Sequence, residues 1–147
     1  ALSFFGFLLH FAWEMLQVPF YLQIPEMPHW DATLVCLRAA GGDVLIGLVS
    51  YGLVALISSG SSWGRRPSAL QVSLFVACGE MITVLLEALA TGPLDRWAYS
   101  PLMPEVAGIG GSPLLQWALL PLVTLWLTRK HLGWDPDPER TEAESRG

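Results

Sequence analysis

The sequence predicts an all-α protein: an antiparallel four-helix transmembrane bundle with two aromatic and proline-rich outer loops and a disordered acidic C-terminal tail. Hydrophobic residues make up 52% of the 147 residues and charged residues only 14%, whereas a soluble domain carries about 25% charged residues. The apolar residues form four long blocks, and polar residues collect at the C-terminus. This distribution excludes an ordinary soluble enzyme and a disordered chain. The lack of a basic stripe excludes a nucleic-acid partner.

Each apolar block is long enough for a membrane crossing, which needs about 20 mostly apolar residues. The predicted helices cover about residues 1–21, 39–59, 68–91 and 112–128, within a transmembrane domain over residues 1–132. Residues 133–147 carry five acids against two bases. That composition predicts a solvated tail.

Proline and glycine mark the predicted loops. Pro25 and Pro28 shape a first outer loop over residues 22–38, and Gly92-Pro93 ends the third helix before a second outer loop over residues 94–111. Ser112 has the residue type of a helix cap, so we expect it to cap the fourth helix.

Basic residues set the expected orientation. Arg65 and Arg66 lie between the second and third helices, and Arg129 and Lys130 follow the fourth. With four crossings, both pairs fall on one side of the membrane, and the positive-inside rule makes that side cytoplasmic. We therefore expect both termini in the cytoplasm and the protein in a bacterial inner membrane.

Titratable residues inside the apolar blocks are candidates for a functional site, because a charge in the bilayer is costly. They are His10, Glu14, Asp43, Glu80 and Glu87. His10, Glu14 and Gln17 follow helical spacing, as do Glu80, Thr83 and Glu87. With a rise of about 1.5 Å per residue, we expect these stripes to meet in the outer half of the bilayer. They would form a polar pocket covered by the outer loops.

Roles follow from residue chemistry. Acid and base groups of such a pocket would be His10, Glu14, Asp43, Glu80 and Glu87, with Glu80 or Glu87 donating a proton and Glu14 with His10 accepting it. Substrate-binding side chains would be Trp13, Gln17, Tyr51, Thr83, Arg96, Trp97, Tyr99 and Gln116. Charge pairing is available between His10 and Glu14, Arg96 and Glu87, and Arg38 and Asp43.

Two other interpretations of these residues stay open. His10 and Glu14 could simply hydrogen-bond helices together. No cofactor is predicted, but a metal ion is a minor alternative, with His10, Glu14 and Glu80 as ligands. Di-iron bundles use Glu-x-x-His on two helices, whereas this chain has His-x-x-x-Glu once, so acid–base chemistry is the stronger prediction.

Short segments resemble the emopamil-binding sterol isomerases. They are His10-Phe-Ala-Trp-Glu14 followed by Phe20-Tyr21, and Glu80-Met-Ile-Thr83 followed by Gly92-Pro93-Leu94. The segment Gly42-Asp43-Val44 also resembles a piece of that family, but lies between the other two here and after them in the family. The resemblance implies that membrane-embedded His and Glu residues move protons on a sterol-like double bond.

The sequence thus predicts a small membrane protein that binds or converts an apolar small molecule by proton transfer, as an isomerase or hydratase would. The molecule would be an isoprenoid, a sterol-like lipid, a carotenoid or a quinone. A non-catalytic accessory subunit of a respiratory or photosynthetic complex is the alternative, with membrane protein partners or a homo-oligomer. A proton pathway is the third.

Overall fold

Four long α-helices carry the fold in the computed structural model, which describes residues 1–58 and 60–134. They are α1 (Leu2–Gln17), α2 (His29–Ile57), α3 (Ala69–Thr91) and α4 (Gly111–His131). Consecutive helices pack against each other, and α1 packs against α4, which closes the bundle into a ring. The predicted all-α class is confirmed for these residues. Most of the predicted tail, residues 135–147, lies outside them.

The third helix agrees best with its predicted bounds, because both of its ends carry clear signals. The Gln71 backbone N–H donates to Ser68 Oγ at 3.2 Å, and the Ser68 backbone N–H donates to Gln71 Oε1 at 2.9 Å. This reciprocal capping box satisfies two N–H groups at the start of the helix. Gly92 follows the last turn of α3, as predicted.

The second helix begins at His29 rather than at about residue 39, so the predicted outer loop over residues 22–38 is wrong from residue 29 onward. Pro28 is the residue before the first turn, and Asp31 lies within that turn, where a negative charge favours the helix dipole. Asp43 consequently lies at the midpoint of α2, about 21 Å from its start. Arg38 is helical and exposed.

Segments that follow α1 and α3 pair at one end of the bundle. The Leu22 N–H donates to the Ala98 carbonyl at 3.0 Å, and the Ser100 N–H donates to the Phe20 carbonyl at 2.8 Å. Strands β1 (Glu105–Val106) and β2 (Ile109–Gly110) then form an antiparallel hairpin that the sequence reasoning missed. Its two turn residues have positive φ angles, as short hairpin turns require.

Short 3₁₀ helices complete the connections and lie over Val18–Phe20, Ile24–Glu26 and Ser61–Arg65. The last of these contributes Trp63 to an apolar core at the opposite end of the bundle from the paired loops. Trp63 packs there with Val54, Phe75 and Leu125. The core ties the start of α3 to the ends of α2 and α4.

The bundle exposes many large apolar side chains and buries several polar ones in addition to its apolar core. Leu16, Leu56 and Leu70 are 75%, 79% and 69% exposed, whereas His10 and Gln116 are 4% and 2% exposed. By length and composition, α2 and α3 could each cross a membrane.

Candidate functional site

Three helices bring polar side chains together in the middle of the bundle. His10 of α1 places its Nδ1 atom 2.7 Å from Gln116 Nε2 of α4 and 3.2 Å from Asp43 Oδ2 of α2. The Gln116 amide also lies 3.0 Å from Asp43 Oδ2. His10 therefore pairs with Asp43 across the helix interface. The sequence had suggested that it pairs with Glu14 on its own helix.

A chain of hydrogen bonds extends this cluster toward the paired loops. The Trp13 indole N–H donates to Ser112 Oγ at 3.2 Å, Ser112 Oγ donates to Gln17 Oε1 at 2.8 Å, and the Gln17 amide donates to Glu14 Oε1 at 2.8 Å. Gln116 Nε2 lies 3.3 Å from the same Glu14 oxygen. The predicted stripe of α1 thus faces α4 and forms one connected network.

Gln116 is the centre of this network, and the number of its amide hydrogens limits how many of the hydrogen bonds can form at once. Its amide nitrogen has two hydrogens but three acceptors within reach: His10 Nδ1, Glu14 Oε1 and Asp43 Oδ2. When Nδ1 carries no proton, it accepts one of these hydrogens. When Nδ1 is protonated, it donates to Asp43, and both amide hydrogens go to carboxylates. The proton on His10 therefore selects the hydrogen-bond arrangement.

A second cluster surrounds Glu87 near the end of α3. The Tyr99 hydroxyl donates to Glu87 Oε2 at 2.5 Å, and the Trp97 indole N–H donates to the same oxygen at 3.4 Å. Burial, and next the bond to Glu87, raises the pKa of Tyr99 above its usual range, so this hydroxyl remains a donor. The second loop is thereby fastened to α3, and Tyr21 packs its ring against both aromatic residues.

Four predicted site residues lie apart from these clusters. Tyr51 stacks on Trp63 at 4.6 Å in the apolar core, and Arg96 is exposed on the second loop. Glu80 Oε2 and Thr83 Oγ1 are buried but have no hydrogen-bond partner among the described residues.

Neither Arg38–Asp43 nor Arg96–Glu87 forms an ion pair within the described parts of the chain, where His10–Asp43 is the pair observed. Residues 1–58 and 60–134 likewise contain no group of three His, Cys, Asp or Glu side chains placed to hold a metal ion.

Two residues of the site were missed by the sequence reasoning. Ser112 makes no helix cap, because α4 begins at Gly111 and the Ser112 hydroxyl instead bonds to Gln17. Trp117 is 1% exposed and its ring lies 5.2 Å from the His10 ring. Ser112 lies four residues before Gln116, so extending the polar stripe of α4 by one turn could have identified it.

A narrow cleft beside α1 and α2 gives access to the His10–Asp43 pair. Beyond that pair its walls are mostly apolar or small side chains, from all four helices: Leu2, Gly6, Val44, Gly47, Leu48, Phe75, Trp117 and Pro121. Its volume of about 20 Å³ is room for one water molecule. Leu48 is 44% exposed at its rim. Movement of such a side chain would open the cleft sideways.

No protein-family model, curated protein or solved structure matches this chain.

Proposed function

We propose that the chain is a bacterial inner-membrane protein whose four helices all cross the bilayer. The exposed leucines and buried polar side chains described above support this placement, as do the apolar lengths of α2 and α3. Helix α1 has 16 residues, about 24 Å, and the 3₁₀ helix Val18–Phe20 adds about 6 Å, which together match a hydrocarbon core of about 30 Å. The positive-inside rule applied to Arg65, Arg66 and the basic end of α4 favours the cytoplasm for that end of the bundle.

Within this bundle, the site binds or converts an apolar small molecule such as an isoprenoid, sterol-like lipid, carotenoid or quinone by proton transfer. One observation carries the proposal: the lining of an apolar-walled cleft includes the His10–Asp43 pair. The cleft as it stands has room for one water molecule, so entry of a ligand requires outward movement of rim side chains such as Leu48. Apolar walls select the body of such a molecule, and the polar pair offers a single place for a proton to be given or taken.

His10 and Asp43 take the acid–base roles in this proposal, and Glu14 and Gln116 orient them. His10 accepts a proton while Asp43 stabilises the resulting imidazolium at 3.2 Å. When that proton comes from a substrate carbon, its return to another carbon of the same double-bond system completes an isomerisation. When it comes from water, the hydroxide adds to one carbon of a double bond, and return of the proton to the other carbon completes a hydration. Glu87 is held by Tyr99 and Trp97 and does not line the cleft, so we assign it to fastening the loop and not to proton donation.

Native mass spectrometry after mild extraction tests the proposal. The wild-type protein is expected to retain an apolar molecule, and Asp43→Asn is expected to lose most of it, because the uncharged amide no longer stabilises protonated His10. Asp31→Asn, on the same helix but exposed, is the control and is expected to retain the molecule. Equal retention in Asp43→Asn and wild type would contradict the site. Recovery of a second protein chain instead would favour the accessory-subunit alternative.

A proton pathway is the second candidate function, and one observation favours it. The buried hydroxyls of Ser50, Thr124 and Thr128 have no hydrogen-bond partner among the described residues, and Thr124 lines the same cleft as His10. Buried polar groups of this kind commonly bind water, which would continue the cluster toward the basic end. Proton flux into dye-loaded vesicles that falls in Thr124→Val would support this function over ligand conversion.

A further inference from the structure

We propose that a basic concave surface at the end of α2 binds the phosphate of an anionic phospholipid. The surface lies between the end of α2 and the start of α3. It is lined by Ser58, Gly60, Ser62, Trp63, Arg65, Arg66, Gln71 and Trp134. Its volume of about 680 Å³ lies within the range of about 300–1,000 Å³ typical of small-molecule sites.

Arg65 is held in a position that suits an anion. Its guanidinium carbon lies 5.6 Å from the centre of the Trp134 ring, a cation–π contact that restrains the planar group. A guanidinium that lies over a ring still has N–H groups directed away from it, and these can form two parallel bonds to phosphate oxygens. Arg66 adds a second positive charge beside it.

The described residues leave these two charges without a counter-ion. Among residues 1–58 and 60–134, no carboxylate lines the surface and neither arginine forms an ion pair. The Ser62 hydroxyl and the Gln71 amide also line the surface and could donate hydrogen bonds to a phosphate. The Gln71 amide oxygen already accepts from the Ser68 N–H, which leaves its NH₂ group for a ligand.

Apolar side chains beside the surface favour a lipid over free phosphate. Leu56 and Ile57 at the end of α2 are 79% and 65% exposed, and Leu70 at the start of α3 is 69% exposed. An acyl chain bound to these side chains would leave its headgroup at the two arginines. This step rests on the proposed membrane placement, which puts the concave surface at the level of lipid headgroups.

The test measures binding of phosphatidylglycerol and phosphatidylcholine to the full chain in mild detergent, by native mass spectrometry over a lipid titration. The wild type is expected to prefer phosphatidylglycerol. Arg65→Gln/Arg66→Gln is expected to bind it about 30-fold more weakly, since each surface arginine favours an anionic lipid by several-fold or more. Arg38→Gln/Lys130→Gln removes the same charge outside the concave surface and is expected to keep the preference.

Three results would overturn the proposal. The first is equal binding of the two lipids by the wild type, and the second is equal weakening in both double variants. The third is displacement of phosphatidylglycerol by millimolar inorganic phosphate, which would identify the ligand as the free anion. Neutralising the five acids of residues 135–147 also tests the chain's own tail as the occupant: lipid preference that appears only after this change would contradict the proposal.

A vesicle experiment separates this proposal from the placement on which it rests. If the chain fails to insert into phosphatidylcholine vesicles, the transmembrane assignment fails and the lipid site fails with it. If the chain inserts but shows no preference for phosphatidylglycerol, only the headgroup site is wrong and the proposed function stands.

Discussion

Replacing Gln116 with leucine tests the polar network most directly. The change keeps the size of the side chain and the helix-forming tendency of the residue, but it removes the amide that lies 2.7 Å from His10 Nδ1 and 3.0 Å from Asp43 Oδ2. Because Gln116 is 2% exposed, water does not replace the lost donor without rearrangement.

The expected loss follows from counting hydrogens and remaining partners. The amide can make two hydrogen bonds to its acceptors at once, and bonds to charged groups contribute about 1.5–3 kcal/mol each. Asp43 would keep His10, and Glu14 would keep the Gln17 amide at 2.8 Å, so neither carboxylate becomes an isolated charge. We therefore expect Gln116→Leu to lower the free energy of unfolding by about 3–6 kcal/mol.

Reversible denaturant unfolding in detergent micelles measures this loss. Gln23→Leu is the matched control, because Gln23 is exposed and accepts one hydrogen bond, from the Ala98 N–H at 3.1 Å. That control is expected to cost less than about 1 kcal/mol. If both variants unfold at the same denaturant concentration, Gln116 does not hold the network together and the reasoning is refuted.

Two further outcomes test packing and protonation. Gly79→Ala would push a methyl group into the buried ring of Trp117, whereas a Cβ at Gly52 meets nothing within 4 Å. Thermal unfolding should therefore show Gly79→Ala less stable than Gly52→Ala by about 1–3 kcal/mol, and equal stability would contradict the packing. The raised pKa of Tyr99 means that the folded chain holds this proton more tightly than the unfolded chain, so stability should be full below about pH 10 and fall above it. Tyr99→Phe removes the titrating hydroxyl and should reduce that fall in an alkaline unfolding series, and an unchanged slope would show that Tyr99 does not set it.

Helix ends were predictable where a residue type strongly favours a helix terminus. Ser68 and Gly92 bound α3 within a residue of the predicted limits. The start of α2 was not predictable from hydropathy, because a window of apolar residues finds the part of a helix that suits a membrane and not the whole helix. His29, Asp31 and Arg38 made residues 29–38 look like a loop, although nothing after Pro28 interrupts a helix.

Residues that share a helix face were predictable, but the partner of each face was not. Helical spacing correctly grouped His10, Glu14 and Gln17 on one stripe that faces α4. The cross-helix pairing of His10 with Asp43 depends on how α1 and α2 are rotated against each other, and spacing within one helix contains no such information. In addition, the predicted start of α2 was about ten residues too late, so the predicted position of Asp43 along the helix was wrong.

Glu80 shows the limit of reasoning from a polar stripe. Glu80, Thr83 and Glu87 share helical spacing, yet the buried face of α3 follows Phe75, Gly79, Thr83 and Glu87 at intervals of four. Glu80 lies one residue past Gly79, about 100° around the helix, so it sits beside that face. Trp117 packs against this face at Gly79, where the absence of a side chain leaves room for its ring.

The network around Gln116 can change its hydrogen bonds without moving a helix. A proton placed on His10 Nδ1 turns that atom from acceptor to donor toward Asp43, and the amide hydrogen that His10 releases becomes available to Glu14. Glu14 in turn accepts from Gln17, which connects the event to the loop end of the bundle. A single proton on His10 thus changes which hydrogen bonds reach Asp43 and Glu14, which suits the proposed acid–base chemistry.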